Sequence, residues 1–317
     1  MENNSNNEFT IAFYNLENLF DIYDDPHFND DDYLPDSEKK WTYRRYKKKI
    51  RRLSKVMRTI GNDHINDAPS VLGVAEVENI DVVLDLIESD HLNEYNYGIV
   101  HYDSMDERGI EVAFLYRKEH FELIDSKRFS THFIRENGEK NYTRDILKVK
   151  GNLNGETIYF LVNHWPSRRK GTEETEHKRV HLANLARSII DEIQEEDPNA
   201  KIIIMGDFND NPNNKSIKQV LVTEDFHNPM ESIFDKGNGS GNHQGEWYLF
   251  DQIIFTKNFH NQGSHRFKNA AIYDKHFLKD KQSKYAENPL RTYKGKWYKG
   301  GMSDHFPIYI AIEKEDE

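Results

Sequence analysis

Seven short apolar runs, each meeting a small or polar residue at one end, constrain the fold of this chain more than any other feature. They are FTIAFYN from Phe9, VLGVA from Val71, VAFLY from Val112, IYFLVN from Ile158, KIIIMG from Lys201, DQIIF from Asp251 and FPIYIAI from Phe306. Runs of this length, rich in Ile, Val, Phe and Tyr and bounded by Gly, Asn, Asp or His, read as buried strands. Two stretches carry the helical period instead. One runs from about Tyr43 to Ile60, with Ile50, Leu53, Met57 and Ile60 on one face; the other runs from about Thr175 to Ile193, with Leu182, Leu185, Ala186 and Ile189 as its stripe. Strands mixed with helices over the whole length define an α/β chain.

The chain has 317 residues, 12% of them aromatic and 31% charged, enough apolar material for a sizeable core. No stretch approaches the roughly 18 apolar residues that span a bilayer. The start, MENNSNNEFT, lacks the basic and apolar regions of a signal peptide. A cytoplasmic protein is therefore expected unless a leader was removed, with residues 1–8 disordered and a monomer favoured. The absence of cysteine excludes disulfides, zinc–thiolate sites and a cysteine nucleophile. A net charge of −12 weighs against gripping long nucleic acid by bulk charge, although a metal site can recruit a phosphate locally.

Three segments read as loops or surface. Asp21 to Glu38 holds eight acidic residues and no Lys or Arg, and lacks the glycine that a calcium loop needs at its sixth position; a solvated acidic loop is expected. Lys39 to Arg58 is the reverse, with eleven basic residues and no acid, and is expected to be the exposed face of the first helix, paired with the acidic loop. Phe234 to Trp247, rich in Gly and Asn, reads as a loop near the site.

Chemistry gathers at strand ends. In IIIMGDFNDNP a buried strand ends in Gly206, and Asp207 and Asn209 follow, where open α/β sheets place ligands. A carboxylate and an amide there suit a metal or an attacking water. Asp304 and His305 in GGMSDHFPIYI precede a strand, and His164 closes one in FLVNHWPSRR. Glu76 follows the run VLGVA, Asn15 lies at the end of IAFYN, and Asp251 opens DQIIF. Each alone is a weak signal; the ordered set is specific.

That order, with GDFN and SDH as its most specific parts, resembles the endonuclease/exonuclease/phosphatase superfamily, from Asn15 to His305. The superfamily includes pancreatic-type deoxyribonucleases, exonuclease III-type nucleases, neutral sphingomyelinases and inositol polyphosphate phosphatases. The resemblance implies one catalytic domain over residues 1–317, a four-layer sandwich of two packed mixed β-sheets flanked by helices. It implies a metal-dependent phosphoester hydrolase, a phosphodiesterase or nuclease, using Mg²⁺ or Mn²⁺. It implies Glu76, Asn15 and Asp304 as the metal region, Asp207 and Asn209 as the pair that orients water and holds the phosphate, and His305 oriented by Asp251. His164 is implied as a second histidine at the phosphate, with Glu111 as its partner, and Arg144 and Arg108 as substrate contacts. Asp207 and His305 both remain candidates for the base. Glu78 stands where deoxyribonucleases carry a basic DNA contact, which weighs against nucleic acid among the phosphoester substrates. The alternatives are a lipid or sugar-phosphate phosphatase, a sphingomyelinase-like enzyme, and a non-catalytic binding protein that kept the fold.

Overall fold

The computed structural model describes residues 7–169, 171–261, 265–282 and 287–315. Residues 1–6 of the expected disordered start lie outside this set, whereas Glu8 already opens the first strand, β1 (Glu8–Leu19). The sheet strands that follow are β2 (Val71–Val77), β3 (Tyr97–His101), β4 (Glu111–Arg117), β5 (Phe121–Phe129), β6 (Ile146–Leu153), β7 (Glu156–His164), β8 (Lys201–Asp207), β9 (Phe226–His227), β10 (Asp251–Thr256), β11 (His265–Ile272) and β12 (Ile308–Lys314). They form two six-stranded sheets, ordered β11-β12-β1-β2-β4-β3 and β9-β10-β8-β7-β6-β5. Each is mixed: β1 runs parallel to β2 and β7 parallel to β8, and the other pairs are antiparallel.

Alternation along the strands builds the layers. In β1, Ile11 and Phe13 face the second sheet and pack with Phe160, Ile203, Met205 and Phe255. Ala12 and Tyr14 face the other way, toward α1 (Tyr43–Thr59) and α2 (Ile80–Ile87). On the far side, Leu161, Ile202 and Ile204 pack under α3 (Thr172–Glu196) through Leu182, Ala186 and Ile189. The result is the expected helix–sheet–sheet–helix sandwich. All seven apolar runs are strands, and the second helix is longer than its sequence stripe. Among the described residues no helix is long and apolar enough to cross a membrane.

The basic run is only partly the paired surface that was expected. Lys39 meets Asp32 at 2.9 Å, Lys47 meets Asp85 at 3.2 Å and Arg58 meets Glu94 at 3.6 Å. Lys49 instead is buried, and its ammonium donates to the Glu17 carbonyl.

Candidate active site

Two parallel strand pairs, one per sheet, end at the same edge of the sandwich. In the second sheet, register alone sets His164, Asp207 and Asp251 abreast on β7, β8 and β10. Gly206 is needed for this: a side chain there would run into the Asn163 carbonyl of β7. In the first sheet, β1 and β2 carry Asn15 and Glu76 to the same edge, and the turn before β12 brings His305.

Asp207 is the hub. Its Oδ2 accepts from the Asn15 amide at 3.0 Å and its Oδ1 from the Asn209 N–H at 2.9 Å. Two imidazoles flank it, with His164 Nε2 3.8 Å and His305 Nε2 4.0 Å from Oδ2. His305 Nδ1 lies 2.6 Å from Asp251 Oδ2, which also accepts from the Ser240 hydroxyl. Asp251 is fully buried, so this pair is shielded from water. The His305 backbone is tied down by Ser303, whose hydroxyl also reaches the Asn15 carbonyl at 2.7 Å. Asn209 donates its side-chain amide to the Trp165 carbonyl at 2.9 Å.

Electrostatics divide the roles. Burial pushes Asp207 up to about 7, with Asp251 and Glu76 adding to it and His305 opposing. Burial works against charge on His305, yet the Asp251 carboxylate and its hydrogen bond, then Asp207 and Asp304, hold its pKa well above the ordinary imidazole range. Burial, then the Arg144 and Arg108 cations, hold His164 well below that range. The two imidazoles are thus shifted in opposite directions, His305 toward its charged form and His164 toward its neutral one.

Glu76 occupies left-handed backbone at φ +62°, as do Glu17, Asn18 and Asn209 at +49°, +50° and +49°. Four of the nine such non-glycine residues among those described therefore crowd this edge, a pattern of strain common at functional sites. Glu76 Oε2 accepts from the Asn18 N–H at 2.8 Å. Its Oε1 faces His164 Nε2 at 3.7 Å and Arg108 Nη1 at 3.9 Å. Asn15 stands beside this group, but its amide bridges Asp207 and the Glu17 N–H (2.9 Å). Asp304 lies at the rim, paired with Arg291 at 2.8 Å.

Sequence reasoning passed over three groups here. Glu17 is buried, accepts from Arg291 Nε at 3.3 Å and from Thr292 N at 2.5 Å, and is pushed up to about 7 by burial and Asp304. Lys49 is brought down to about 8 by burial, against the pull of Glu17, Glu76 and Asp304. Arg291 closes the cluster. Glu17 had a signal, an acid inside an apolar run; Lys49 was hidden among ten other cations, and Arg291 belongs to no motif.

Such a cluster of buried and half-buried carboxylates, Glu17 and Asp207 with Glu76 and Asp304, offers the oxygen donors that a hard divalent cation takes. Asp207, Asp251 and His305 also present ligand atoms within 4.8 Å of one another. In that trio, however, the Asp251 oxygen is already shared by His305 and Ser240.

Two expected contacts take other forms. Arg144 is buried, bonding Asp106 at 3.2 Å and the Trp165 carbonyl at 2.7 Å, with only Nε unpartnered. Arg108 bonds Asn18 at 2.6 Å and faces Glu76, so it reaches the cleft. Glu111 does not partner His164; its Oε1 accepts from Ser104 at 2.7 Å, and His164 Nδ1 has no partner. Glu78 is turned back onto the acidic loop, accepting from Asp21 N at 2.6 Å, so it does not act as a free charge against an incoming phosphate.

Glu111 yields a stability test. Burial, with Asp106 nearby, raises its pKa to about 8. A folded value above the unfolded one gives stability that is whole below the ordinary glutamate range and is lost as pH rises through about 8. Glu111→Gln keeps the acceptor for Ser104 and never ionises. Its Tm is expected to match wild type near pH 5 and exceed it by a few degrees near pH 9. Coincident melting curves at both values would refute the assignment.

By sequence, residues 10–314 match the family described as Endonuclease/Exonuclease/phosphatase family. No curated protein is matched. Among solved structures, a family protein from Bacteroides thetaiotaomicron superposes with a TM-score of 0.61 at 17% identity, covering 98% of this chain and 99% of that one. D. rerio TDP2 complexed with single strand DNA product gives 0.59 at 14%, covering 97% and 99%. A mannosyl-6-phosphatase from Bacteroides thetaiotaomicron gives 0.58 at 17%, covering 96% and 99%. These likenesses share the fold; the match over residues 10–314 goes further, and the chain belongs to the endonuclease/exonuclease/phosphatase family of phosphoester hydrolases.

Proposed function

We propose that this protein is a divalent-metal-dependent phosphodiesterase of nuclease type, acting as one catalytic domain over residues 1–317 and as a monomer. The observation that carries the reading is Asp207 held by Asn15 and Asn209 between two imidazoles, one of them locked to buried Asp251 at 2.6 Å. A non-catalytic binder would have no need to keep every member of this set.

Glu76 and Asp304, with Asn15 beside them, would hold Mg²⁺ or Mn²⁺. A bound ion supplies neutralisation of phosphate charge. In the proposed reaction Asp207 takes the proton of a water whose oxygen attacks phosphorus. Asn15 and Asn209 fix the carboxylate so that only one orientation is available. The His305 imidazolium donates its Nε2–H to a phosphoryl oxygen, and Asp251 keeps that ring oriented and charged. Neutral His164 and Asn209 bind the remaining oxygens, with Arg108 at the mouth and Arg144 behind His164. The P–O bond to the leaving group breaks, and the leaving oxygen takes its proton from solvent.

The discriminating experiment is a substrate panel with Mg²⁺: plasmid DNA, a single-stranded oligonucleotide, RNA, sphingomyelin, inositol phosphates, mannose 6-phosphate and bis-p-nitrophenyl phosphate. Cleavage of the diesters is expected. Phosphate release from the monoesters alone would establish the sugar- or lipid-phosphatase alternative instead.

A further inference from the structure

We infer that α1 and the hairpin Tyr293–Lys294/Trp297–Tyr298 form a track for the backbone of a single-stranded nucleic acid whose scissile phosphate lies in the cleft, an inference that rests on the phosphodiesterase reading. The charge asymmetry is the first ground. The chain carries −12 overall, yet residues 39–58 hold eleven basic side chains and residues 291–299 hold four, and neither stretch has an acid. Bulk repulsion with a local basic strip concentrates a polyanion on that strip.

Helical geometry organises the strip. At 3.6 residues per turn, Arg44, Lys48, Arg51, Arg52 and Lys55 fall within an arc of about 100° and extend along roughly 16 Å of helix. None of these five has an acidic partner among the described residues, in contrast to Lys47 and Arg58 at the edge of the stripe. Lys294 and Lys299 of the hairpin segment are likewise exposed and without one.

The two elements are one surface. Arg45 stacks over Tyr298 at 4.3 Å, Lys48 lies 5.7 Å from the same ring, and Tyr293 donates its hydroxyl to the Lys39 carbonyl at 3.1 Å. The same two elements also reach the charge cluster behind Glu76. Arg291, just before the hairpin, pairs with Asp304 and Glu17, and α1 sends Lys49 to the Glu17 carbonyl.

Trp297 selects the kind of polyanion. It is 71% exposed at the hairpin, flanked by Lys294 and Lys299, while Lys296, 6.0 Å from the ring, is paired with Glu38 at 2.8 Å. A solvated indole among cations is a stacking platform for an unpaired base. A duplex, with its bases paired inward, would leave that ring unused.

The test uses the full chain in EDTA, with a fluorescent 20-nucleotide single strand followed by anisotropy. Lys48→Glu/Lys55→Glu is expected to weaken binding tenfold or more. It should also flatten the slope of log affinity against log salt by about 0.7 for each phosphate no longer neutralised. Trp297→Ala should weaken binding about tenfold with the slope unchanged. Both variants should hydrolyse bis-p-nitrophenyl phosphate with Mg²⁺ as wild type does, which also shows that they fold. Wild-type affinity in both variants overturns the inference, as does a wild-type protein that ignores the oligonucleotide and binds phosphatidylserine vesicles. If wild type fails to cleave bis-p-nitrophenyl phosphate, the phosphodiesterase reading falls, while the binding measurement still decides the track.

Discussion

Replacing His305 by alanine is expected to lower kcat on bis-p-nitrophenyl phosphate by about 10²- to 10⁴-fold, the range for a positioned acid or base. The imidazole is locked at 2.6 Å to a carboxylate with no solvent exposure, and it faces Asp207 across 4.0 Å. If Asp251 works through that ring, Asp251→Ala should be costly in the wild-type background and nearly silent in His305→Ala, because residues acting as a unit are not additive. Ser240→Ala removes one donor to Asp251 while leaving the dyad in place, so its loss should be smaller than either. The measurement is kcat for the single and double variants, with circular dichroism to confirm folding. Effects of His305 and Asp251 that simply multiply would mean that the pair is not a catalytic unit, and Asp207 would have to carry the chemistry alone.

The parts of this site that were legible in sequence share one cause. A buried strand must be apolar, so a polar residue at its end stands out, and Asn15, Glu76, His164, Asp207 and Asp251 were each visible as a break in an apolar run. The sandwich then brings these ends together. Strands without a dry face were not legible. β5 (FELIDSKRF) is an edge strand with most residues exposed, and it reads as polar sequence. The charge cluster behind Glu76 was illegible for another reason. Lys49 differs from its ten basic neighbours only in pointing inward at Glu17, and a helix position alone does not reveal which cation the fold will bury. Glu78 and Glu111 show the opposite limit: a carboxylate near a motif position invites a role, and only the hydrogen bonds to Asp21 and Ser104 reveal that each is engaged elsewhere.

Removing divalent cation should abolish turnover altogether, and this separates the cleft into two functional halves. With EDTA, hydrolysis of bis-p-nitrophenyl phosphate is expected to fall to background and to return with Mg²⁺ or Mn²⁺. The physical reason lies in the carboxylates. Glu17 and Asp207 are both pushed up to about 7, and the cations placed to offset Glu17 are Lys49, itself brought down to about 8, and Arg291. Burial holds these carboxyl groups toward their neutral form, a nearby divalent ion would favour their charged form, and a set of oxygen donors with no sulfur favours a hard cation. Glu76→Ala should therefore raise the Mg²⁺ concentration needed for half-maximal activity, and excess Mg²⁺ should restore much of the rate. Excess Mg²⁺ should do nothing for His305→Ala, whose missing group is a proton donor and not a ligand. Isothermal titration with Mg²⁺ supplies a readout independent of turnover: Glu76→Ala should weaken the binding isotherm and His305→Ala should leave it close to wild type. Full activity in EDTA would remove the metal from the mechanism. An unchanged isotherm in Glu76→Ala would move the binding site to the trio of Asp207, Asp251 and His305, where the same titration on Asp251→Ala would locate it.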